Sequence, residues 1–198
     1  MHQIRFEWND YFSGTSIATT EQGSFTSQRT HSTSSVYVIN CLFNNCNSGS
    51  AGGALYCTSN YLLVESTSFF SCKTSSGPGG AIRFINTGSG QCVLYGVCGY
   101  DCIITSGSWG IFARIDVYNS ATNKNYVNYS SITRCVEVNS NSCNVLGLEY
   151  GKILLPSTNI SMNECRYRPA IYCYPYSDSS YVISSLSYSS IADNHATY

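Results

Sequence analysis

Apolar and polar residues alternate along this chain in short runs, and the helical spacing of three and four is missing. Leu55 and Cys57 flank Tyr56, Ile82 and Phe84 flank Arg83, and Ile171 and Cys173 flank Tyr172. A period of two predicts a strand at each run. Two of these strands follow a compact glycine corner, Gly52-Gly53-Ala54-Leu55 and Gly79-Gly80-Ala81-Ile82. Comparable stretches, "WGIFARI", "LGLEYG" and "RPAIYC", occupy residues 109–115, 146–151 and 168–173.

A second pattern precedes each corner. An apolar residue is followed five positions later by another, and three further on by Cys or Asn. Val38, Phe43 and Cys46 show it, as do Val64, Phe69 and Cys72. Val127, Ile132 and Cys135 repeat it, and Leu186, Ile191 and Asn194 end it with Asn. Weaker copies are Leu94, Gly99 and Cys102, then Met162 with Cys165, while Phe6 with Asn9 reads as the tail of one more. The closing residues 46, 72, 102, 135, 165 and 194 are 26, 30, 33, 30 and 29 apart.

A near-constant period of this size predicts stacked repeats. A propeller blade needs about 40 residues and four strands, so the shorter period selects a parallel β-helix. The expected fold is all-β, a right-handed solenoid of about six coils and roughly 30 Å long. Residues 36–198 carry the repeats, and the Ser/Thr-rich residues 1–35 form a partial coil or cap. In such a stack identical positions become columns. Val, Leu, Phe and Ile fill the core, and Gly52, Gly53, Gly79 and Gly80 turn the corner where positive φ is cheap. Cys46, Cys72, Cys102, Cys135 and Cys165 form a structural thiol column.

Composition narrows the function classes. The chain has 198 residues, 43% of them hydrophobic and only 11% charged, with net charge −1. No run of Lys or Arg exceeds two, so the footprint of a nucleic-acid binder or a polybasic membrane anchor is missing. Apolar stretches such as Ile153-Leu154-Leu155 are too short to span a bilayer. The opening "MHQIRFEWNDYF" carries Arg5 and Glu7 and lacks the apolar core of a secretory leader. That points inside the cell, unless the chain is a piece of a longer secreted protein. Cysteines number 11, an odd count without any Cys-x-x-Cys pair, so no metal or other cofactor is expected. Neighbouring cysteines in a column lie within disulfide reach, but parallel stacking sets their Cβ vectors side by side, which favours reduced thiols. The sequons at Asn128 and Asn159 are of the kind chance produces in a chain so rich in Ser and Thr.

Gly52-Gly53-Ala54-Leu55, Gly79-Gly80-Ala81-Ile82 and Ile191-Ala192-Asp193-Asn194 resemble the Gly-Gly-Ala-apolar and Phe-x-x-Asn motifs of polymorphic outer-membrane-protein repeats. Those repeats occur in bacterial autotransporter passengers and large protist surface proteins. The resemblance is strongest over residues 36–86 and 165–196, and it implies a β-helix and a cell-surface, adhesin-like setting. Here Cys replaces Asn in five of six copies, which exchanges an Asn ladder for thiols.

Three functions remain open. The leading expectation is a non-enzymatic structural or scaffold protein that binds other proteins through a Tyr-rich face and uncapped ends, or stacks end to end. Tyr56, Tyr172, Tyr174 and Tyr176 are the partner-binding candidates, since Tyr gives contact area at small entropic cost. Stacking across coils that merely stiffens the solenoid is the competing account of these rings. A polysaccharide lyase or hydrolase is the second function, and it needs clustered carboxylates, alone or with calcium and a basic residue. The outward row after the corner reads Tyr56, Arg83, Phe112, Glu149 and Tyr172, with one acid, so Asp101, Asp116 and Arg114 are the best catalytic grouping. A surface ion pair explains them better. An adhesin fragment is the third. His2, His31 and His195 are read as solvated.

Overall fold

The computed structural model describes residues 7–106, 109–137, 144–166, 168–176 and 184–196. These residues are 54% strand with one short helix, wound as a parallel β-solenoid of about five turns, slightly fewer than predicted. Part of the difference lies at the start. Asn9, read as the tail of a coil, belongs to the helix Trp8–Tyr11, which packs on the outside of the solenoid.

Each turn visits four faces. Face I holds Tyr61–Glu65, Gln91–Tyr95, Lys124–Asn128, Lys152–Pro156 and Ser185–Ser187. Face II holds Ser68–Phe70, Cys98–Tyr100, Ser131–Thr133, Asn159–Ser161 and Ser190–Ala192, and the long strand Ser35–Asn44 runs through both. Face III stacks two-residue strands from Asn47–Ser48 to His195–Ala196. Face IV stacks Arg29–His31, Leu55–Cys57, Ile82–Ile85, Ala113–Asp116, Asn144–Glu149 and Arg168–Tyr174. Every ladder is parallel, so each backbone bonds to the turn above and below.

Corners are made by single residues in the left-handed region. Asn40, Ser66, Gly96, Tyr129, Ser157 and Tyr188 stack between faces I and II, and Asn45, Ser71, Asp101, Arg134, Met162 and Asp193 between faces II and III, with φ from 47° to 61°. Only one of these is glycine. This conformation costs a non-glycine residue roughly 1–2 kcal/mol. Bonds to the next turn hold it in place, among them Asn45 N–H to Phe70 O at 2.9 Å and Tyr129 N–H to Pro156 O at 3.0 Å. The glycine pair divides its labour. Gly52 and Gly79 have φ of 72° and 78°. Gly53 and Gly80 are needed for closeness instead: a Cβ on Gly53 would run into the carbonyls of Gly80 and Lys73.

The core is a set of columns. Val38, Val64, Leu94, Val127 and Leu155 align on face I, and Leu55, Ile82, Ala113, Leu146 and Ile171 on face IV. On face II the column reads Phe25, Phe43, Phe69, Gly99, Ile132, Ile160 and Ile191. Phe43 and Phe69 stack at 4.8 Å, nearly parallel. Gly99 interrupts the column, and its place is taken from across the core by the Phe112 ring, which a Cβ on Gly99 would strike. Phe112 occupies the position held by Ala54 and Ala81 in the preceding turns. Large and small have exchanged sides, and packing volume is conserved. Phe112 therefore points inward and is fully buried, contrary to the outward row predicted for it.

Candidate functional site

The cysteine column begins as expected and then changes identity. Cys46, Cys72, Cys102 and Cys135 are stacked at the corner between faces II and III, all fully buried. Their sulfurs bond to the neighbouring turn: Cys72 Sγ donates to Phe43 O at 3.5 Å and Cys102 Sγ to Phe69 O at 3.7 Å. The hydrogen bond with Cys72, and then burial, pushes the Cys46 thiol above its ordinary range, and burial does the same to Cys102. All ten described cysteines are unbridged. Cys165 is not in the column. Val136 pairs with Glu164, so the residue above Cys135 is Asn163, and Asn194 follows it. The fifth copy of the motif is Ile160-Ser161-Met162-Asn163, two residues before the predicted register. Asn163 Oδ1 accepts from Cys135 N–H at 2.8 Å, and its Nδ2 donates to Ile132 O at 3.2 Å and Asn194 Oδ1 at 2.8 Å. Four thiols thus hand over to a two-rung asparagine ladder.

A hydroxyl ladder at the first corner escaped sequence reading. Thr67, Ser130, Thr158 and Ser189 each lie five residues before a member of the Cys/Asn column. Ser130 Oγ accepts from Val97 N–H at 3.1 Å and Ser189 Oγ from Thr158 N–H at 3.0 Å. The constant offset of five was the available signal.

The outer surface of face IV carries the charges. Its row is Tyr56, Arg83, Arg114, Gly147 and Tyr172, so Glu149 sits two residues further along the strand, beside Asp116. Arg83 Nη2 meets Asp116 Oδ2 at 2.6 Å, Arg114 Nε meets Asp116 Oδ1 at 2.7 Å, and Arg114 Nη2 meets Glu149 Oε1 at 2.5 Å. Trp109 lies 5.5 Å from the Arg114 guanidinium. Gly147 leaves room for the Arg114 stem, which would be 3.1 Å from a Cβ there. Arg114 and Asp116 are therefore brought together as the sequence suggested, but Asp101 is not with them. It sits at the corner between faces II and III, paired with Arg134 at 3.3 Å. Asp116 is buried with both oxygens facing arginines, an arrangement that fixes the side chains of three successive turns.

The tyrosines do not form one stripe. Tyr56 is separated from Tyr172 by Arg83, Arg114 and Gly147 in the same row. Tyr172 packs on Trp109 at 5.3 Å and Tyr174 on Tyr150 at 5.7 Å, and Tyr176 lies beyond the strand with its N–H on Gly151 O. A richer aromatic set was missed: Tyr37, Tyr61, Tyr95 and Tyr126 on the outside of face I surround Leu63 and Val93, under Trp8 and Phe12. On face II Phe70 and Tyr100 stack at 5.3 Å, and Arg134 covers the Tyr100 ring. Beside them a groove of about 370 Å³ is lined by Asp101, Ile103, Arg134, Val136, Met162 and Glu164 among others.

The two ends differ most. At the first turn Glu21, Arg29 and His31 stand opposite the core residues Val38, Leu55 and Cys57. Arg29 Nη2 lies 2.7 Å and His31 Nε2 3.2 Å from Glu21 Oε1, so an Arg29–Glu21 ion pair with the buried His31 imidazole beside it plugs the core. His31 is thereby buried, not solvated, and burial, aided by Arg29 and opposed by Glu21, lowers its pKa below 6.5. His195 is exposed on face III, and His2 lies outside the described residues. The last turn carries no such plug among its described residues. Leu186 and Ile191 continue the core columns of Leu155 and Ile160 yet are 50% and 44% exposed.

Among the described residues no group of three or more His, Cys, Asp or Glu could hold a metal ion. No family model, no curated protein and no solved structure matches the chain.

Proposed function

We propose that the protein is a non-enzymatic structural scaffold, a stiff β-solenoid that engages other proteins through its last turn. The observation that carries this reading is the contrast between the first and last turns: Glu21 and Arg29 pair over one, and among the described residues of the other Leu186 and Ile191 are about half exposed. Solenoids normally hide such positions under a cap, because bare strand edges and apolar columns recruit other chains. Tyr174, 46% exposed beside this turn, extends the surface with the residue type that interfaces favour. The lateral tyrosines serve mainly as cross-turn packing in this reading. The carboxylates of face IV act as structural ties, which weighs against the polysaccharide-acting alternative.

The test is capture from native extract with wild-type chain and with Ile191→Lys as bait. Proteins retained by the first and lost with the second support the reading. Identical retention by both, or turnover of an acidic polysaccharide that Asp116→Ala abolishes, refutes it.

A further inference from the structure

We infer that the flank of the solenoid where faces II and III meet is a self-association surface, and that its partner is the same flank of a second copy lying antiparallel. The order of side chains on face III points to it. Lys73, Ile103, Val136 and Glu164 stand in one outward column, one to a turn: a cation, two apolar residues and an anion. Lys73 and Glu164 are exposed, and Ile103 and Val136 are partly buried. Among the described residues neither Lys73 nor Glu164 has an ion-pair partner. Read backwards, this column complements itself. A two-fold axis crossing it between Ile103 and Val136 sets Lys73 against Glu164 of the second copy, and Ile103 against Val136.

The adjoining corner column obeys the same symmetry. Its residues are Ser71, Asp101, Arg134 and Met162. The axis falls between Asp101 and Arg134, which pair within one chain at 3.3 Å. The second copy presents the same two in the opposite order, so four charges close into an alternating ring. Met162, 55% exposed, lies against Ser71. On face II the same operation brings Tyr100 to Thr133 and Phe70 to Ser161. The next positions outward, Asn47 opposite His195 and Asn45 opposite Asp193, oppose no like charges. The groove of about 370 Å³ runs along these columns and takes the facing side chains.

A two-fold axis parallel to the solenoid does the reverse. It sets Lys73 on Lys73 and Glu164 on Glu164, and like charges directly opposite each other destabilise a contact. The antiparallel contact is isologous and closes on itself, so its product is a dimer. Four turns at about 4.8 Å make the patch about 19 Å long, small beside a standard interface, so the dimer is concentration-dependent. Leu186 and Ile191 take no part in it.

Sedimentation velocity over a wide concentration series tests this with the whole chain. A monomer–dimer equilibrium is expected. Lys73→Glu and Glu164→Lys should each weaken it about tenfold, since each turns two symmetry-related attractions into repulsions. The double variant restores both pairs in reverse and should return the dimer to within about threefold of wild type. Both residues are exposed, so circular dichroism should not change. Where it does, Lys73→Gln and Glu164→Gln remove the charge without reversing it and should weaken the dimer about threefold. Monomer at every concentration, a dimer indifferent to the single changes, or a double variant no tighter than the singles overturns the inference. A dimer that Ile191→Lys dissolves overturns it too, and leaves the reading of the last turn standing.

Discussion

Replacing Asn163 by Leu keeps the side-chain volume close and removes the polar rung between the thiol column and the last turn. Asn163 is 1% exposed. Its amide satisfies Cys135 N–H at 2.8 Å and Ile132 O at 3.2 Å, both in the turn below. Each buried polar group left without a partner costs about 1–3 kcal/mol. Two such groups give about 2–6 kcal/mol, and the apolar surface gained by Leu returns about 1–2 kcal/mol of it. The difference spans about 0–5 kcal/mol, and a net loss near its centre, about 2–3 kcal/mol, is expected. Asn163→Cys should fall between wild type and Leu, because Cys72 and Cys102 show that a thiol in this column donates to the carbonyl below. Urea unfolding followed by circular dichroism measures the order, wild type above Cys above Leu. Hydrogen exchange should place the loss in the turns flanking residue 163, since solenoid stability is a sum over repeats and their interfaces. A Leu variant within about 0.5 kcal/mol of wild type, or more stable than the Cys variant, refutes the ladder as a source of stability.

Gly53→Ala should lower the melting temperature sharply, because its Cβ meets backbone carbonyls of the adjoining turn, whereas Gly49→Ala, with open space around it, should be close to neutral. Thermal melts of the two decide this. Of the ten described cysteines only Cys98 and Cys173 are exposed, so alkylation of native protein followed by peptide mapping should modify Cys98 first, Cys173 more slowly because burial pushes its thiol up to about 11, and the buried eight only in denaturant. The His31 pKa is lowered in the folded state, so its contribution to stability is present above pH 6.5 and fades as the pH falls. His31→Gln should flatten that part of a stability-versus-pH curve, and an unchanged slope would remove the plug from the account of acid sensitivity.

The period, the strands and the glycine corner were legible because they rest on local pattern: alternation, Gly-Gly, and a Cys recurring near every thirty residues. Register was harder to read. Met162 with Cys165 looked like a motif, yet Ile160 and Asn163 fill it, because Asn and Cys are interchangeable at that corner and only the vertical hydrogen bonds choose between them. Phe112 was assigned to the outward row after the corner, and its true side depends on the vacancy at Gly99 across the core, which no local rule contains. The remaining corners were invisible for a similar reason. Tyr129, Arg134 and Met162 are poor candidates for left-handed backbone, and they adopt it only because the next turn bonds to them. The plug hid in the Ser/Thr-rich segment 1–35, where His31 was read as solvated and Glu21 and Arg29 stood outside any repeat.

The trade between Gly99 and Phe112 has a consequence for how such a chain can drift. Neither partner tolerates replacement alone: enlarging the glycine drives atoms into the ring, and trimming the ring empties the middle of the stack. Their descendants must therefore travel as a matched couple, tied together by volume though they sit on opposite walls. Wherever related chains are gathered, that couple should be sought before any surface residue, as an internal signature of shared ancestry.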